Sequence, residues 1–381
     1  MLPHRLQSAL SDLDRLGLRR CRRVLDGVQG VRVTLDGREY LSFSSNDYLG
    51  LAGHPDIAMA ARAAVAEFGV GAGAAHLLTG HHRLHHELES ELAGLVGLPA
   101  ALLFSSGYMA NLGVVQALLD RHGEVFEDRL NHASLVDAAL LSRAKLSRYP
   151  HLDLAALERQ LANSAARTKL IATDTVFSMD GDQACVAELL VLAERYDAWL
   201  YLDDAHGFGV LESLAPSPSP LPPRLIYMAT LGKAVGVSGA FVAGSGELIE
   251  WLVNKARTYV YTTAQPPLLA AAVRASLKLQ AAEPWRRRHL IDLVGRLRAG
   301  MADLPWALFD SATPIQPLLV GDAQAALALA EGLRQRGILI PAIRPPTVPA
   351  GTARLRISLS ASHSFEDVET LLASLRALAA S

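Results

Sequence analysis

The feature that most constrains this chain is a recurring pair: a short, unbroken apolar run, then a polar turn and a segment of helical periodicity. ALLF (101–104), KLIAT (169–173), AWLYL (198–202), RLIYMAT (224–230) and AFVAG (240–244) are such runs. Each is too short for a buried helix and lacks the alternation of a strand with one wet face. Strands buried on both faces and alternating with helices imply an α/β fold, a mostly parallel central sheet with helices on both sides. Ligands collect at the carboxyl ends of such strands, so the polar residues just after each run are the ones to inspect.

The rhythm changes at the two ends of the chain. Residues 1–45 read as a helical arm followed by a hairpin, VRVTLDGREYLSF (31–43), with Asp36-Gly37 as its turn. Residues 46–284 hold the alternating pattern, and 285–381 read as a smaller C-terminal α+β domain. The only low-complexity stretch, APSPSPLPP (215–223), is expected to be an extended surface loop inside a domain. No internal repeat is found.

At 381 residues and 50% hydrophobic, the chain can bury a large core. A net charge of -2 and a pI near 6.7 offer no field for nucleic acid or an anionic membrane, which favours small-molecule chemistry. No apolar run approaches the ~18 residues of a membrane span. Cys21 and Cys185 form no disulfide framework, so a soluble cytoplasmic protein is expected.

Three segments carry chemistry. In AWLYLDDAHGFG (198–209) an apolar strand ends in Asp203 and Asp204, followed by His206. A carboxylate at such a strand end is costly without a cationic partner, and a protonated pyridine nitrogen is one. An Asp pair capping the next turn, or a magnesium ligand pair, fits the same letters. In TLGKAVGVSGA (230–240) Lys233 stands among glycines and apolar residues, where desolvation favours the neutral, imine-forming amine. A phosphate-binding P-loop lysine is the alternative, but the upstream glycine is missing and Ala234 occupies the Ser/Thr position. In LLFSSGYMAN (102–111) a strand, a Ser-Ser-Gly turn and a helix start make a main-chain anion site of Gly107 and Tyr108, with Ser106 beside it. A phosphate site, a strand-end acid and an apolar-set lysine are together what pyridoxal 5'-phosphate (PLP) requires.

These segments resemble the α-oxoamine synthase family of fold-type I PLP-dependent transferases. The resemblance covers nearly the whole chain, through FSSNDYLGL (43–51), LLFSSGYMAN, RLNHASLVDA (129–138), VFSMDGD (176–182), TLGKAVGVSGA, YVYTTAQPP (259–267) and IRPPTVPAGTARLRISL (343–359). It implies that Lys233 carries PLP as a Schiff base, Asp203 pairs with the ring nitrogen and His206 bonds the phenolic oxygen. It further implies that His132 stacks on the ring and Ser178 contacts it. Phosphate contacts would come from Gly107, Tyr108 and Thr230, and from Thr262 and Thr263 of a partner subunit, hence a homodimer. Asn46 and Arg356 would hold the amino-acid carboxylate, and Arg20 and Thr347 the acyl substrate. The stretch PPTVPAGTARLR (345–356) leans toward the member that joins L-alanine to a pimeloyl thioester, on CoA or an acyl carrier protein, over those using glycine or serine. The segment GAGAAHLLTG (71–80) departs from the family pattern, which often has a glycine-serine turn and an arginine near His76.

Two other motifs are set aside. GVGAGA (69–74) matches a dinucleotide fingerprint, but helix-like AARAAVAEF precedes it where a strand is required. HHRLHHELE (81–89) spaces His81 with His85 and His82 with His86 at one helical turn, and it is read as a polar helix face, with no metal expected.

Overall fold

The structure, a computed structural model, describes residues 2–15, 18–20, 22–211 and 222–380. Cys21 and most of the Pro-rich stretch 215–223 lie outside them. Fourteen strands follow in chain order: β1 (Leu25–Asp26), β2 (Arg32–Leu35), β3 (Arg38–Ser42), β4 (Ala100–Phe104), β5 (Gly123–Asp128), β6 (Lys145–Tyr149), β7 (Thr168–Asp174), β8 (Trp199–Asp203), β9 (Leu225–Thr230), β10 (Ala240–Gly244), β11 (Ile315–Gly321), β12 (Ile338–Leu339), β13 (Ala342–Ile343) and β14 (Ala353–Ser358).

The seven-stranded sheet runs β4-β10-β9-β8-β7-β5-β6. Its apolar runs are continuous because both faces are covered. Leu200, Leu202, Tyr227 and Phe241 point into one core, while Tyr201, Ile226, Met228 and Val242, one residue out of step, point into another. Each fully buried side chain of this size contributes about 1.5–3 kcal/mol relative to an exposed one. All pairings are parallel except those of β10, which runs antiparallel to both neighbours. The reversal follows from the connection: only residues 231–239 separate β9 from β10, too few for a crossover helix.

Four parallel neighbours, β5, β7, β8 and β9, end at one edge in Asp128, Asp174, Asp203 and Thr230. That edge is where the site is built.

The hairpin forms as expected, with Asp36 and Gly37 both at positive φ (51° and 73°), the backbone that a two-residue turn between right-twisted strands requires. Its β3 also pairs in parallel with β12, so the N-terminal strands share a sheet with a C-terminal one. The antiparallel sheet β11-β14-β13 packs with the helices Trp285–Gly300, Ala323–Gln335 and Phe365–Ala379 around a core that includes Phe43, Tyr48 and Leu49. The histidine run differs from its expected form. The helix Arg83–Leu95 begins only after His82, and His85 is fully buried instead of facing water. GVGAGA indeed follows a helix, Pro55–Phe68, and no strand. Among the described residues no helix is long and apolar enough to cross a membrane.

Candidate functional site

The short β9–β10 connection places Lys233. Its loop is closed by Leu231 N–H to the Gly239 carbonyl (2.8 Å) and Gly236 N–H to the Lys233 carbonyl (2.8 Å). Gly236 sits at φ 73°, where a Cβ would come within 2.6 Å of Ala52 N. Only glycine lets this loop lie against the Leu51–Ala52 backbone. That segment is itself stiff, because the Asp47 carboxylate accepts the N–H groups of Leu51 and Ala52 (2.8 and 3.0 Å).

From Lys233 a hydrogen-bonded chain runs inward. Its Nζ lies 2.8 Å from His206 Nε2, His206 Nδ1 lies 2.7 Å from the Tyr48 hydroxyl, and that hydroxyl lies 3.2 Å from Asn46 Oδ1. Arg356 donates to Asn46 Oδ1 (3.2 Å), the Ser178 carbonyl (2.6 Å) and the Ser358 hydroxyl (2.8 Å). Burial holds His206 well below the ordinary imidazole range, helped by the positive charges of Lys233 and Arg356. A neutral His206 has one donor and one acceptor, so the proton positions follow. The Lys233 ammonium donates to Nε2, Nδ1–H donates to Tyr48, and Tyr48 donates to Asn46. Burial also pulls Lys233 down to about 8, against the pull of Asp203 and Asp174.

Asp203 closes the other side. Asn111 Nδ2 donates to its Oδ2 (2.9 Å) and Ala205 N–H to its Oδ1 (3.1 Å). Asn111 is held by the Tyr201 hydroxyl (2.6 Å) and also donates to Ser134 Oγ (2.7 Å), which meets His132 Nδ1 (2.7 Å). The carboxyl of Asp203 is raised by burial, offset by Asn111, Lys233, Ala205 N–H and His132. It is a desolvated acid within the electrostatic reach of Lys233, short of a full counter-ion. A protonated ring nitrogen would supply that charge, so these residues fit PLP. Asp204, by contrast, turns away and is satisfied by the Thr175 and Tyr227 hydroxyls. Asp203 thus also caps the turn that follows it, as one alternative for the acid pair has it, and the two acids take separate partners, Asp203 the Asn111 amide and Asp204 the Thr175 and Tyr227 hydroxyls.

His132 caps the helix Ala133–Ser142, accepting Ser134 N–H (3.3 Å), and its main-chain N–H donates to Asp174 (2.6 Å). The turn that carries it is anchored by His151, which bridges Asp128 (2.9 Å) and Asp182 (2.7 Å). Burial alone would lower His151, but the bonds to the two acids outweigh it and raise the ring to about 10. A raised folded-state value means the contribution is complete below the ordinary value near 6.5 and is lost as pH rises through about 10. His151→Gln, which leaves the buried Asp128 carboxylate without its cation, should cost about 3 kcal/mol at neutral pH in urea unfolding, with the deficit shrinking as pH rises toward about 10 and gone above it. A deficit that stays constant with pH would remove the ion-pair account.

Ser106 caps the helix Gly107–Leu118 by accepting Met109 N–H (3.3 Å). The Tyr108 side chain is exposed and bonded to Asp137, leaving its main chain at the helix start. Thr230 Oγ1 donates to the Gly239 carbonyl (3.1 Å) and accepts Gly232 N–H (3.3 Å). Thr262 and Thr263 follow the helix Arg257–Val260, and Thr262 Oγ1 donates to the Thr263 carbonyl (3.5 Å). A single chain does not bond them to Lys233, His206 or Asp203. Arg20 Nη2 reaches Thr347 Oγ1 (3.4 Å) although 327 residues separate them. Arg20 lines a groove of about 1160 Å³ together with Asn46, Gly232 and Arg344. Arg356 is no surface residue: it and Arg354 are 5% and 3% exposed, alternating with fully buried Leu355 and Ile357. Arg354 pairs with Asp180 and lies over the Phe309 ring.

Sequence reasoning assigned no role to Asn111, Tyr48 or Asp174. The first two lie inside quoted segments, yet nothing local marks them as partners of Asp203 and His206.

The sequence matches the aminotransferase class I and II family over residues 38–375. It is 58% identical to the 8-amino-7-oxononanoate synthase of Nitrosomonas eutropha, covering 100% of both chains. It is 60% identical to the same-named protein of Thiobacillus denitrificans, covering 98% of both. In three dimensions it resembles a high-resolution structure of SPT carrying PLP, at 26% identity and a TM-score of 0.91 over 98% of this chain and 96% of that one. By a match that spans the large sheet and the C-terminal layers alike, the chain belongs to the aminotransferase class I and II family.

Proposed function

We propose that this chain binds PLP through Lys233 and condenses L-alanine with a pimeloyl thioester to give 8-amino-7-oxononanoate, carbon dioxide and a free thiol. The observation that carries the reading is the convergence of Lys233, Asp203 and Arg356 at one sheet edge, in a chain whose full-length relatives bear that enzyme's name. PLP, when bound, supplies a cationic ring that accepts the electrons released at the substrate carbon.

The protein's part is positioning and proton control. Asp203, backed by Asn111, keeps the ring nitrogen protonated. Lys233 would hold the cofactor, and its Nζ would accept the proton of the amino acid's Cα. His206 would bond the phenolic oxygen; for this its Nε2 would carry the proton, and Tyr48 would permit the change by reversing its own bond to Nδ1. His132 and Ser178 would hold the ring. Ser106, Gly107, Tyr108 and Thr230 take the phosphate, completed by Thr262 and Thr263 of a second subunit, so the active unit is a homodimer. Arg356 and Asn46 hold the amino-acid carboxylate and orient the bond that breaks. Arg20 and Thr347 meet the acyl substrate in the groove, whose arginines suit the phosphate-bearing carriers, CoA or acyl carrier protein.

Thiol release from pimeloyl-CoA by the PLP-loaded protein tests the substrate assignment. L-alanine should support it at least about ten-fold faster than glycine or L-serine, the discrimination that about 1.4 kcal/mol gives. A preference for glycine or serine would place the chain with another α-oxoamine synthase.

A further inference from the structure

The histidine run absorbed by none of these roles has its own geometry. Glu89 lies on the helix Arg83–Leu95 with its side chain only 12% exposed. Its Oε1 accepts Leu103 N–H (3.0 Å), and burial pushes the carboxyl up to about 7. Among the described residues no donor reaches Oε2, and no lysine or arginine pairs with the group. What faces Oε2 is His81 Nε2, at 3.8 Å. His86, three residues before Glu89 and therefore on its side of the helix, is the third member. One donor atom from each lies within 4.8 Å of the others.

The protons favour coordination. His81 Nδ1 lies 3.0 Å from His76 Nδ1, so one of the two must donate. Glu89 Oε2 and His81 Nε2 stand 3.8 Å apart, outside hydrogen-bond length. With His81 as donor, its Nε2 presents a lone pair to Glu89 and His86, and His76 holds the ring from behind, as outer residues hold metal-bound imidazoles. His76 is itself fixed by stacking on Tyr259 (5.0 Å, 11°). A rival set, His76, His81 and His85, is equally close-set. It fails on the proton of His85. Nδ1 of that ring accepts His82 N–H (3.1 Å), so Nε2 carries the hydrogen and has no lone pair. That Nε2 is buried without a hydrogen-bond partner, the Gln265 carbonyl being nearby but outside bonding geometry.

We propose that His81, His86 and Glu89 form a site for a divalent transition-metal cation of the zinc class, separate from the PLP site and independent of its assignment. Two imidazoles and a carboxylate suit such an ion. Bonds of about 2.1 Å in tetrahedral geometry need donors about 3.4 Å apart, which small side-chain rotations supply. The cation would also provide the positive charge that the Glu89 carboxylate lacks.

Titration of the chelator-stripped, PLP-loaded protein with Zn²⁺ alone tests this. One ion should bind per chain, at least about ten-fold more weakly in His86→Gln, whose side chain is exposed and whose fold is safe, and in Glu89→Gln, which keeps an acceptor for Leu103. His122→Gln, at an exposed histidine elsewhere, should bind like wild type. Overturning results are wild-type binding no tighter than that of His86→Gln, an equal loss in His122→Gln, or a loss in His76→Gln that His86→Gln does not share.

Discussion

Lys233→Ala should lose the visible absorption that the wild-type protein acquires with PLP, and its turnover should fall by at least about 10⁴-fold, since both the covalent tether and the base are removed. Burial makes this lysine reactive. A solvated lysine near 10.4 offers roughly one neutral amine in a thousand at pH 7.5. With the amine held at about 8, roughly a quarter is neutral at that pH. His206 Nε2 keeps it aimed, at 2.8 Å. The sign gives a second reading of the same residue: the neutral amine is the reactive form and populates above its pKa. The rate of covalent PLP attachment should therefore rise with pH and level off above about 8, and an ordinary lysine would level off only above about 10. A visible band retained by Lys233→Ala would show that another lysine carries the cofactor.

Much of this site was legible because local burial announces it. An apolar run that ends in an acid, and a lysine among glycines, are anomalies within a few residues of sequence, and Asp203 and Lys233 followed from them. Their supports were not legible, because support is a long-range property. Asn111 meets Asp203 across 92 residues, and Tyr48 meets His206 across 158. A buried Asn or Tyr looks alike whether it props a catalytic group or fills a core. The same limit explains Arg356. Alternation along β14 predicts that it shares a face with Arg354, but only the packing of the C-terminal layer shows that this face is buried against the large sheet's edge. The direction of β10 was hidden for a different reason: a strand buried on both faces has the same composition whichever way it runs, and only the brevity of residues 231–239 distinguishes the cases. The histidine run misled through its period. One-turn spacing means a shared face only inside a helix, and the helix starts after His82.

The charge on Asp203 can be separated from its shape. Asp203→Asn keeps the volume but removes the negative charge that holds the ring nitrogen protonated, and it sets an amide N–H₂ against a donor, either Asn111 Nδ2 or Ala205 N–H. Breaking a buried charge pair costs about 3–5 kcal/mol, which converts to about 10²–10⁴-fold in turnover. Covalent attachment of PLP to Lys233 should survive, because that chemistry needs the amine and not the acid. The visible band should therefore persist while activity falls, a split that unfolding would not produce. PLP methylated on its ring nitrogen carries a fixed positive charge with no proton to hold, so it should restore part of the activity to Asp203→Asn. If the variant stays within ten-fold of wild type, or if the methylated cofactor helps it no more than it helps wild type, then Asp203 does not act through the charge of the ring.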